Sequence, residues 1–557
     1  MAGGNSVYGI DLGTTYSCIA YVNESGRAEV VSNSNGELTT PSVVLFESST
    51  SRVVGREAKN SAKLYPNDVV EMVKRHMGDP NWTFNYQGTD YRPEEISSWI
   101  LRKVVDDAQA QNNTTIKDVV ITCPAYFGIN EREATARAGQ IAGLNVLEII
   151  NEPTAAAISF GTQNEQNQVV LVYDLGGGTF DITMIEIKEN AITVIATGGD
   201  KELGGRDWDA AVVTYLAQEW MRETGSSDDP TSSPDSLQDL WIRAEDAKKA
   251  LSAKAETRVP VSHAGQAIPV TLTRDKFDEL TAGLLEQTIL FTKQMLDAAR
   301  QKGYTSFDKL LLVGGSTYMP QVPERLKREF GKEPQLNEPN LSVAKGAAIY
   351  GQKLAIGDKI LTKVAELTGQ RAENVNLDMV SPSVMQQAEM QVASSEGLKL
   401  PDVQRMHRQK ITNVVSHSFG VVVVETSTGS ERDVISNLIK KQDTLPAAVT
   451  KRYGTLRPNQ SSVELQVMEN ELLSDQVDDV QNSKEIGNAL IDGLPSGLPA
   501  GEPVDVTFEL DQQGRLHVTG VVPSTGRRAE ATIQTSEGMS EEELEEVTSR
   551  QRGLKIG

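Results

Sequence analysis

At 557 residues the chain is longer than one hydrophobic core serves, so three or four domains are expected. Its net charge of −23 excludes the basic surface that nonspecific nucleic-acid binding needs. Hydrophobic content of 38% is ordinary for a globular protein, and no apolar run reaches the roughly 18 residues of a membrane span, so no membrane partner is expected.

Met1 to Ser6 lead almost directly into strand sequence, which leaves no room for a signal peptide. Val7 to Ile10 reads as a short apolar strand. Asp11-Leu12-Gly13-Thr14-Thr15-Tyr16 follows, then a second strand from Cys18 to Val22 and a polar turn from Asn23 to Arg27. Pro41 to Phe46 is a further strand. Val70 to Gly78 carries Lys74-Arg75, usually a solvated edge; beside an acidic phosphate site, one of the two would balance a γ-phosphate. Glu94 to Gln111 is a long helical pattern, Asp118 to Thr122 a strand, and Glu131 to Gly143 a helix with a glycine stop. Asn151-Glu152-Pro153-Thr154 opens an alanine-rich helix, with Pro153 where a missing N–H costs nothing. Glu152 then stands at the helix start as a candidate partner of water or Mg²⁺. The only cysteines, Cys18 and Cys123, give neither a disulfide framework nor a metal cluster, and fit a reducing cytoplasm.

The apolar run Val169 to Tyr173 ends in Asp174-Leu175-Gly176-Gly177-Gly178-Thr179-Phe180-Asp181. Three glycines strip the turn of side chains and let backbone N–H groups face an anion such as phosphate. A carboxylate on each side would repel that phosphate unless a cation intervened, so Asp174 and Asp181 imply Mg²⁺ held through waters. A strand from Ile182 to Ile187 and a polar turn from Lys188 to Asn190 complete a second copy of the first hairpin. The repeat implies two like-folded halves whose hairpins face one polyphosphate; two ordinary glycine hairpins are the plainer alternative. Gly204-Gly205-Arg206-Asp207 opens a helix, and Gly225 to Pro234 is an exposed loop. Glu245, Lys248, Lys249 and Ser252 share one face of the helix from Leu240 to Ala253, either a solvated face or a nucleoside grip. Leu310 to Val313 is a strand, and Gly314-Gly315-Ser316-Thr317 is a glycine turn at its end, where α/β sheets bind ligands.

GIDLGTTYS at 9–17, NEPTAAA at 151–157, DLGGGTFD at 174–181 and LVGGST at 312–317 resemble the ATPase domain of the seventy-kilodalton heat-shock chaperones (DnaK-like). The resemblance runs from about 7 to 352 and resumes from about 413 to 547. It implies a multidomain chain: an α/β actin/hexokinase-like two-lobed ATPase domain, then an all-β sandwich peptide-binding domain. It also implies ATP/ADP, Mg²⁺ and K⁺ as cofactors. By position, Asp11, Gly13, Thr14, Thr15, Tyr16 and Gly176, Gly177, Gly178 and Thr179 would hold phosphates. Asp11, Asp174 and Asp181 would surround the metal. Lys74, Glu152, Thr179 and Asp181 would serve hydrolysis. Gly204, Gly205, Glu245, Lys248, Lys249, Ser252, Gly314, Gly315, Ser316, Tyr318 and Asn340 would frame the nucleoside. The family's base-sandwiching arginines are replaced by Lys249 and Tyr318, and its Asn-Pro-Asp by Glu338-Pro339-Asn340. Tyrosine still stacks on a base.

The expected domains are 1–356 (ATPase), 357–412 (linker or insert), 413–537 (sandwich) and 538–557 (acidic start of a lid). Residues 357–412 match nothing in the family pattern. Ile360, Leu361, Val364 and Leu367 form a helical stripe, and the polar stretch after Gly369, with Met379, Met385, Met390 and Met406, reads as irregular and mobile, or as a partner surface. Gln409 to Thr412 has one large apolar residue where the family has several leucines, and Asn413 replaces an acidic residue that would pair with Arg132, so weak interdomain coupling is expected unless the helical stripe docks instead. Strands are expected at Phe419–Glu425, Val463–Met468, Val504–Leu510, Leu516–Val522 and Ala529–Gln534, with a turn at Asp511-Gln512-Gln513-Gly514. By resemblance, Val421, Val424, Tyr453, Leu456, Val463 and Leu465 line a peptide groove; plain sandwich core is the alternative for each. The implied function is an ATP-dependent cytoplasmic chaperone, monomeric, binding unfolded hydrophobic polypeptides and served by a J-domain co-chaperone and a nucleotide exchange factor. The alternative is a nucleotide-gated assembly protein for one dedicated partner. A filament former or sugar kinase on the same ATPase fold is disfavoured by the β segment after 413.

Overall fold

The structure is a computed structural model that describes residues 6–557 apart from 162–166, 190, 427–430, 482, 513, 534–538 and 552. Asn190, Gln513, Gln534 and the 537/538 boundary, all named from the sequence, lie outside the described residues.

The apolar runs before the two hairpins become the centres of two sheets of the same plan. In the first lobe the order is Asn145–Asn151, Asp118–Cys123, Tyr8–Asp11, Tyr16–Val22, Ala28–Val31. In the second it is Pro334–Leu336, Lys309–Val313, Gln168–Leu175, Phe180–Lys188, Ala191–Asp200. Each hairpin is antiparallel, and each leading strand also pairs in parallel on its other side. Gln168–Leu175 is buried nearly throughout, which explains its unbroken hydrophobic sequence. Two helices, Glu152–Gly161 and Ser342–Thr368, join the sheets through a core holding Val7, Val120, Ala155, Val172, Val343 and Ala347. They cross so closely that a Cβ on Gly346 would lie 1.7 Å from the Ala155 carbonyl oxygen, so only glycine fits there.

Residues 357–408 are folded, contrary to the expectation of a short helix and a mobile remainder. Ser342–Thr368 runs on unbroken, and helices Pro382–Glu396 and Leu400–Arg408 fold back on it. Ile356, Ile360, Val364, Ala388, Val392, Ala393 and Val403 form their shared core. Leu367, Met385 and Met406 pack against that core, whereas Met379 and Met390 are exposed. The apolar positions are sparse, but they recur at helical spacing, and that decides the outcome over a polar average. Glu389 is buried beneath this layer and accepts from the Gln404 amide at 2.8 Å.

The linker docks as well. Lys410–Thr412 adds in parallel to the second-lobe sheet at Ala191–Thr193. Ile411 and Val414 join the interlobe core and Val415 the sandwich core. Backbone pairing and these valines stand in for the missing leucines. Asn413 accepts from Thr154 at 3.1 Å, and Arg132 donates to the Phe127 carbonyl at 3.0 Å and to Asn151.

Two sheets face each other from Ser418 onward: Gln476–Val477, Arg432–Ile439, Ser418–Glu425, Val463–Asn470, Lys484–Ile491, and Ala447–Gly454, Pro503–Leu510, Leu516–Val522, Arg527–Ile533. Alternating burial along Pro503–Leu510 is that of a sandwich strand. The sandwich sits on the two-lobed domain. Ile129 enters its core, Thr197 exchanges two hydrogen bonds with the Gln442 amide at 3.1 and 2.6 Å, and Lys302 donates to the Gln442 carbonyl. The described residues from Met539 onward, in the stretch expected to start a lid, lie on the first lobe, where Leu544, Val547 and Met539 meet Ile141.

Two titratable groups are buried where sandwich meets lobes. Burial, with Glu131 nearby, raises the Glu469 carboxyl from 4.5 to about 8, against Lys484 and the Ile129 amide; Glu471 adds to the rise. Burial, with Lys441, Arg132 and Lys201, lowers His417 from 6.5 to about 4 against Glu471. Docking therefore takes up a proton on Glu469 between about 4.5 and 8 and releases one from His417 between about 4 and 6.5. Above about 6.5 only Glu469 acts, and its contribution is lost as pH rises towards about 8. Interdomain fluorescence transfer is expected to report docking that weakens across that window, by up to about tenfold per pH unit; Glu469→Gln flattens the slope. Separately, Ile360→Ala is expected to destabilise the 357–408 layer by about 2–4 kcal/mol, read by amide exchange in Pro382–Glu396. Rapid exchange there in the unmodified chain would contradict a folded layer.

Candidate functional site

The two hairpins meet tip to tip between the lobes. A Cβ on Gly177 would lie 2.3 Å from the Thr15 hydroxyl, and one on Gly178 2.4 Å from the Thr14 methyl. The glycines thus serve the approach of one hairpin to the other as well as any anion. Between the lobes opens a cleft of about 720 Å³ lined from both sides.

Of the residues named from the sequence, Asp11, Gly13, Thr14, Thr15, Tyr16, Lys74, Glu152, Asp174, Gly176, Gly177, Thr179, Glu245, Lys248, Lys249, Ser252, Gly314, Gly315, Ser316, Tyr318 and Asn340 line this cleft. Gly178, Asp181, Gly204 and Gly205 stand just behind the lining. Asp181 is buried and accepts the Ala125 N–H at 2.9 Å. Gly205 receives Lys248 on its carbonyl at 2.8 Å, and the Gly204 N–H donates to Asp207.

The floor is acidic. Lys74 Nζ lies 2.5 Å from Glu152 Oε1, both well buried. Burial, and then Glu152, raises Asp11 to about 7, although Lys74 and the Thr122 hydroxyl oppose the rise. The same causes push Asp174 and Asp181 well above the ordinary carboxyl range. Four carboxyl groups thus share one ammonium, a deficit of positive charge that a divalent cation suits. No three His, Cys, Asp or Glu side chains among the described residues form a direct metal cage. The donors therefore fit an ion that keeps its waters, as Mg²⁺ does.

The opposite wall is a lysine cluster on one carboxylate. Lys59 and Lys249 each place Nζ 2.6 Å from an oxygen of Glu245. Against the upward push of burial they hold its carboxyl at about 2. Both also donate to the Tyr16 hydroxyl, at 3.2 and 2.9 Å. Lys59, on the short helix Arg56–Ser61, escaped the sequence reading because one lysine on a surface helix carries no pattern. Arg206 escaped too; its guanidinium lies 3.5 Å over the Trp241 ring and 3.6 Å from Glu71. Lys248 is held by Asp209 at 2.8 Å, Ser252 bonds back to the Lys248 carbonyl, and Ser316 donates to the Gly176 carbonyl at 2.8 Å. Arg75 turns away from the cleft to brace the second hairpin through the Gly178 carbonyl and Asp207. Tyr318 is half exposed at the cleft mouth.

The six groove positions do not form one open groove. Val421 and Leu465 are buried in the sandwich core, and Tyr453 and Val463 pack at its margin. Val424 and Leu456 are half-buried outside that core. For Val421 and Leu465 the inward alternation of the strands makes core the outcome.

Two like lobes closing on an acidic cleft, with a β-sandwich carried on a docked linker, define a two-lobed cleft protein with an appended β domain. The Hsp70 protein family model matches residues 7–368 and 359–555, and the chain belongs to the Hsp70 family. The match also spans 357–412, the stretch read from the sequence as foreign to the family. Members of this family are generally ATPases and chaperones, with an actin-like ATPase domain and a β substrate-binding domain. No helix among the described residues is long and apolar enough to cross a membrane.

Tyr318→Ala is expected to weaken ATP and GTP alike, by about 1–3 kcal/mol of lost stacking on the base. Calorimetry with both nucleotides checks it; unchanged affinities would put the ring outside the site.

Proposed function

We propose that the chain is an ATP-dependent chaperone that binds extended hydrophobic polypeptide, the nucleotide setting how the sandwich sits on the ATPase domain. The observation that carries this is the Gln442–Thr197 clasp, which seats the sandwich on the strand that follows the second hairpin in sequence. Asp11, Asp174 and Asp181 would hold Mg²⁺ through waters, with K⁺ beside it. The ion supplies charge neutralisation at the phosphates, and phosphoryl transfer needs mainly that and positioning. Thr14, Thr15 and the backbone of Gly176 to Thr179 cradle phosphate oxygens. Lys74 leaves Glu152 for the γ-phosphate, and the freed Glu152 carboxylate orients the attacking water. Glu245, with Lys59 and Lys249, faces the sugar, and Tyr318 covers the base. The place of action is the cytoplasm, with a J-domain protein and an exchange factor as helpers.

A second reading, an assembly protein for one dedicated partner, is favoured by the exposed methionines of the folded 357–408 layer and by the burial of Val421 and Leu465. Titration with several unrelated hydrophobic peptides, with and without ATP, separates the two. Binding of many, weakened by ATP, supports the chaperone; binding of none supports the dedicated partner.

Lys74→Ala is expected to slow single-turnover hydrolysis by about 10²–10³-fold, the usual cost of one preorganised donor, with ATP still bound. A rate within a few-fold of the unmodified chain would remove Lys74 from the mechanism.

A further inference from the structure

Among the described residues, the cations that line the cleft are Lys59, Lys74, Arg206, Lys248 and Lys249. Each lysine is committed. Lys59 and Lys249 share Glu245 at 2.6 Å, Lys248 lies 2.8 Å from Asp209, and Lys74 lies 2.5 Å from Glu152. Arg206 is not committed in this way. Its guanidinium donates no hydrogen bond to any described residue, and its ion-pair partner Glu71 stands 3.6 Å away, beyond hydrogen-bond length. Burial lowers its pKa, against Glu71, Asp209 and Glu245; a guanidinium stays charged even so. The cleft therefore holds one largely desolvated cation whose donors are unspent.

The surroundings of Arg206 suit a phosphate. The Trp241 ring, 3.5 Å from the guanidinium carbon, fixes the plane of the fork. A guanidinium stacked on its face presents N–H groups at its edge, the geometry that grips phosphate oxygens. The two ends of the side chain say which phosphate. At its root, the Arg206 backbone N–H donates to the Gly177 carbonyl at 2.7 Å, on the glycine turn of the second hairpin. At its tip, Glu71 comes across from the first lobe, out of the same bend as Lys74. Met72, at φ 61, turns the chain there, and Glu71 and Lys74 both line the cleft. The side chain thus runs from the second hairpin towards the segment that carries Lys74. We propose that Arg206 is a specificity-determining residue that donates to the terminal phosphate of a nucleoside triphosphate. It leaves Glu71 to do so, and it makes the cleft prefer triphosphate to diphosphate. Trp241 is its positioning residue. The assignment rests on the reading of the cleft as an ATP site.

Calorimetry of the full chain with ATP, ADP and AMP at saturating Mg²⁺ tests it, in the unmodified protein, Arg206→Ala, Arg206→Lys and Glu71→Gln. The Arg206 and Glu71 side chains are 22% and 20% exposed, so these replacements do not empty the core. Arg206→Ala is expected to weaken ATP by about 10–100-fold, the range of a hydrogen bond between charged groups, and ADP and AMP far less. Arg206→Lys, which keeps the charge and loses the fork, falls between. Glu71→Gln removes the competing carboxylate and is expected to raise the preference for ATP over ADP, a change of opposite sign. A merely structural Arg206 would weaken all three nucleotides together, and that result would overturn the assignment. So would a preference unchanged in Arg206→Ala or lowered in Glu71→Gln, while the ATP reading stood. An unmodified chain that binds none of the three nucleotides would overturn both.

Discussion

The structure depends on one electrostatic imbalance: four carboxyl groups gathered on the cleft floor around a single lysine. Buried charge without a partner is among the costliest features a protein holds. Here Lys74 pairs with Glu152, and Asp11, Asp174 and Asp181 are driven towards their protonated forms. The floor is therefore satisfied by one salt bridge only while nothing else occupies it. Under the function proposed above, a phosphate chain with its cation would bring both a competitor for Lys74 and the missing positive charge. The tip-to-tip hairpins and the Glu245 cluster on the far wall border this floor.

The repeated Asp-Leu-Gly hairpins made the two-lobed plan legible in the sequence, because one such turn is ordinary but two matched copies at long spacing imply two like halves. Most of the cleft lining followed from the same motifs. Lys59 and Arg206 did not, since they act through the partner they meet across the cleft, and sequence spacing is silent about that. The strands Arg432–Ile439, Ala447–Gly454 and Lys484–Ile491 were also passed over; polar residues dilute their signal, buried at Ser436 and Asn437 in the first. Val421 and Leu465 were assigned to a groove where alternation points them into the core.

The stretch from 357 to 412 shows how composition misleads. Its average is polar, and a polar average suits a mobile tether. Helical stability depends instead on where the few apolar residues fall. Ala388, Val392 and Val403 fall where Ile360 and Val364 can meet them, and the Glu389 carboxylate finds Gln404, His407 and Arg408. The linker shows the same rule in another form: backbone pairing along Ala191–Thr193 does work that leucine side chains were expected to do.

The helix Ser342–Thr368 begins beside the cleft, which Val343 and Asn340 help to line, and ends inside the folded layer after 357. Its 27 residues make a rod of about 40 Å. A rigid rod is a lever. With the fulcrum at the Gly346–Ala155 crossing near the cleft, the short arm lies in the pocket and the long arm carries the layer. A tilt of about 3° at the pocket sweeps the far end, at Thr368, through roughly 2 Å. A displacement too small to notice in the cleft thus arrives enlarged at the folded layer after 357.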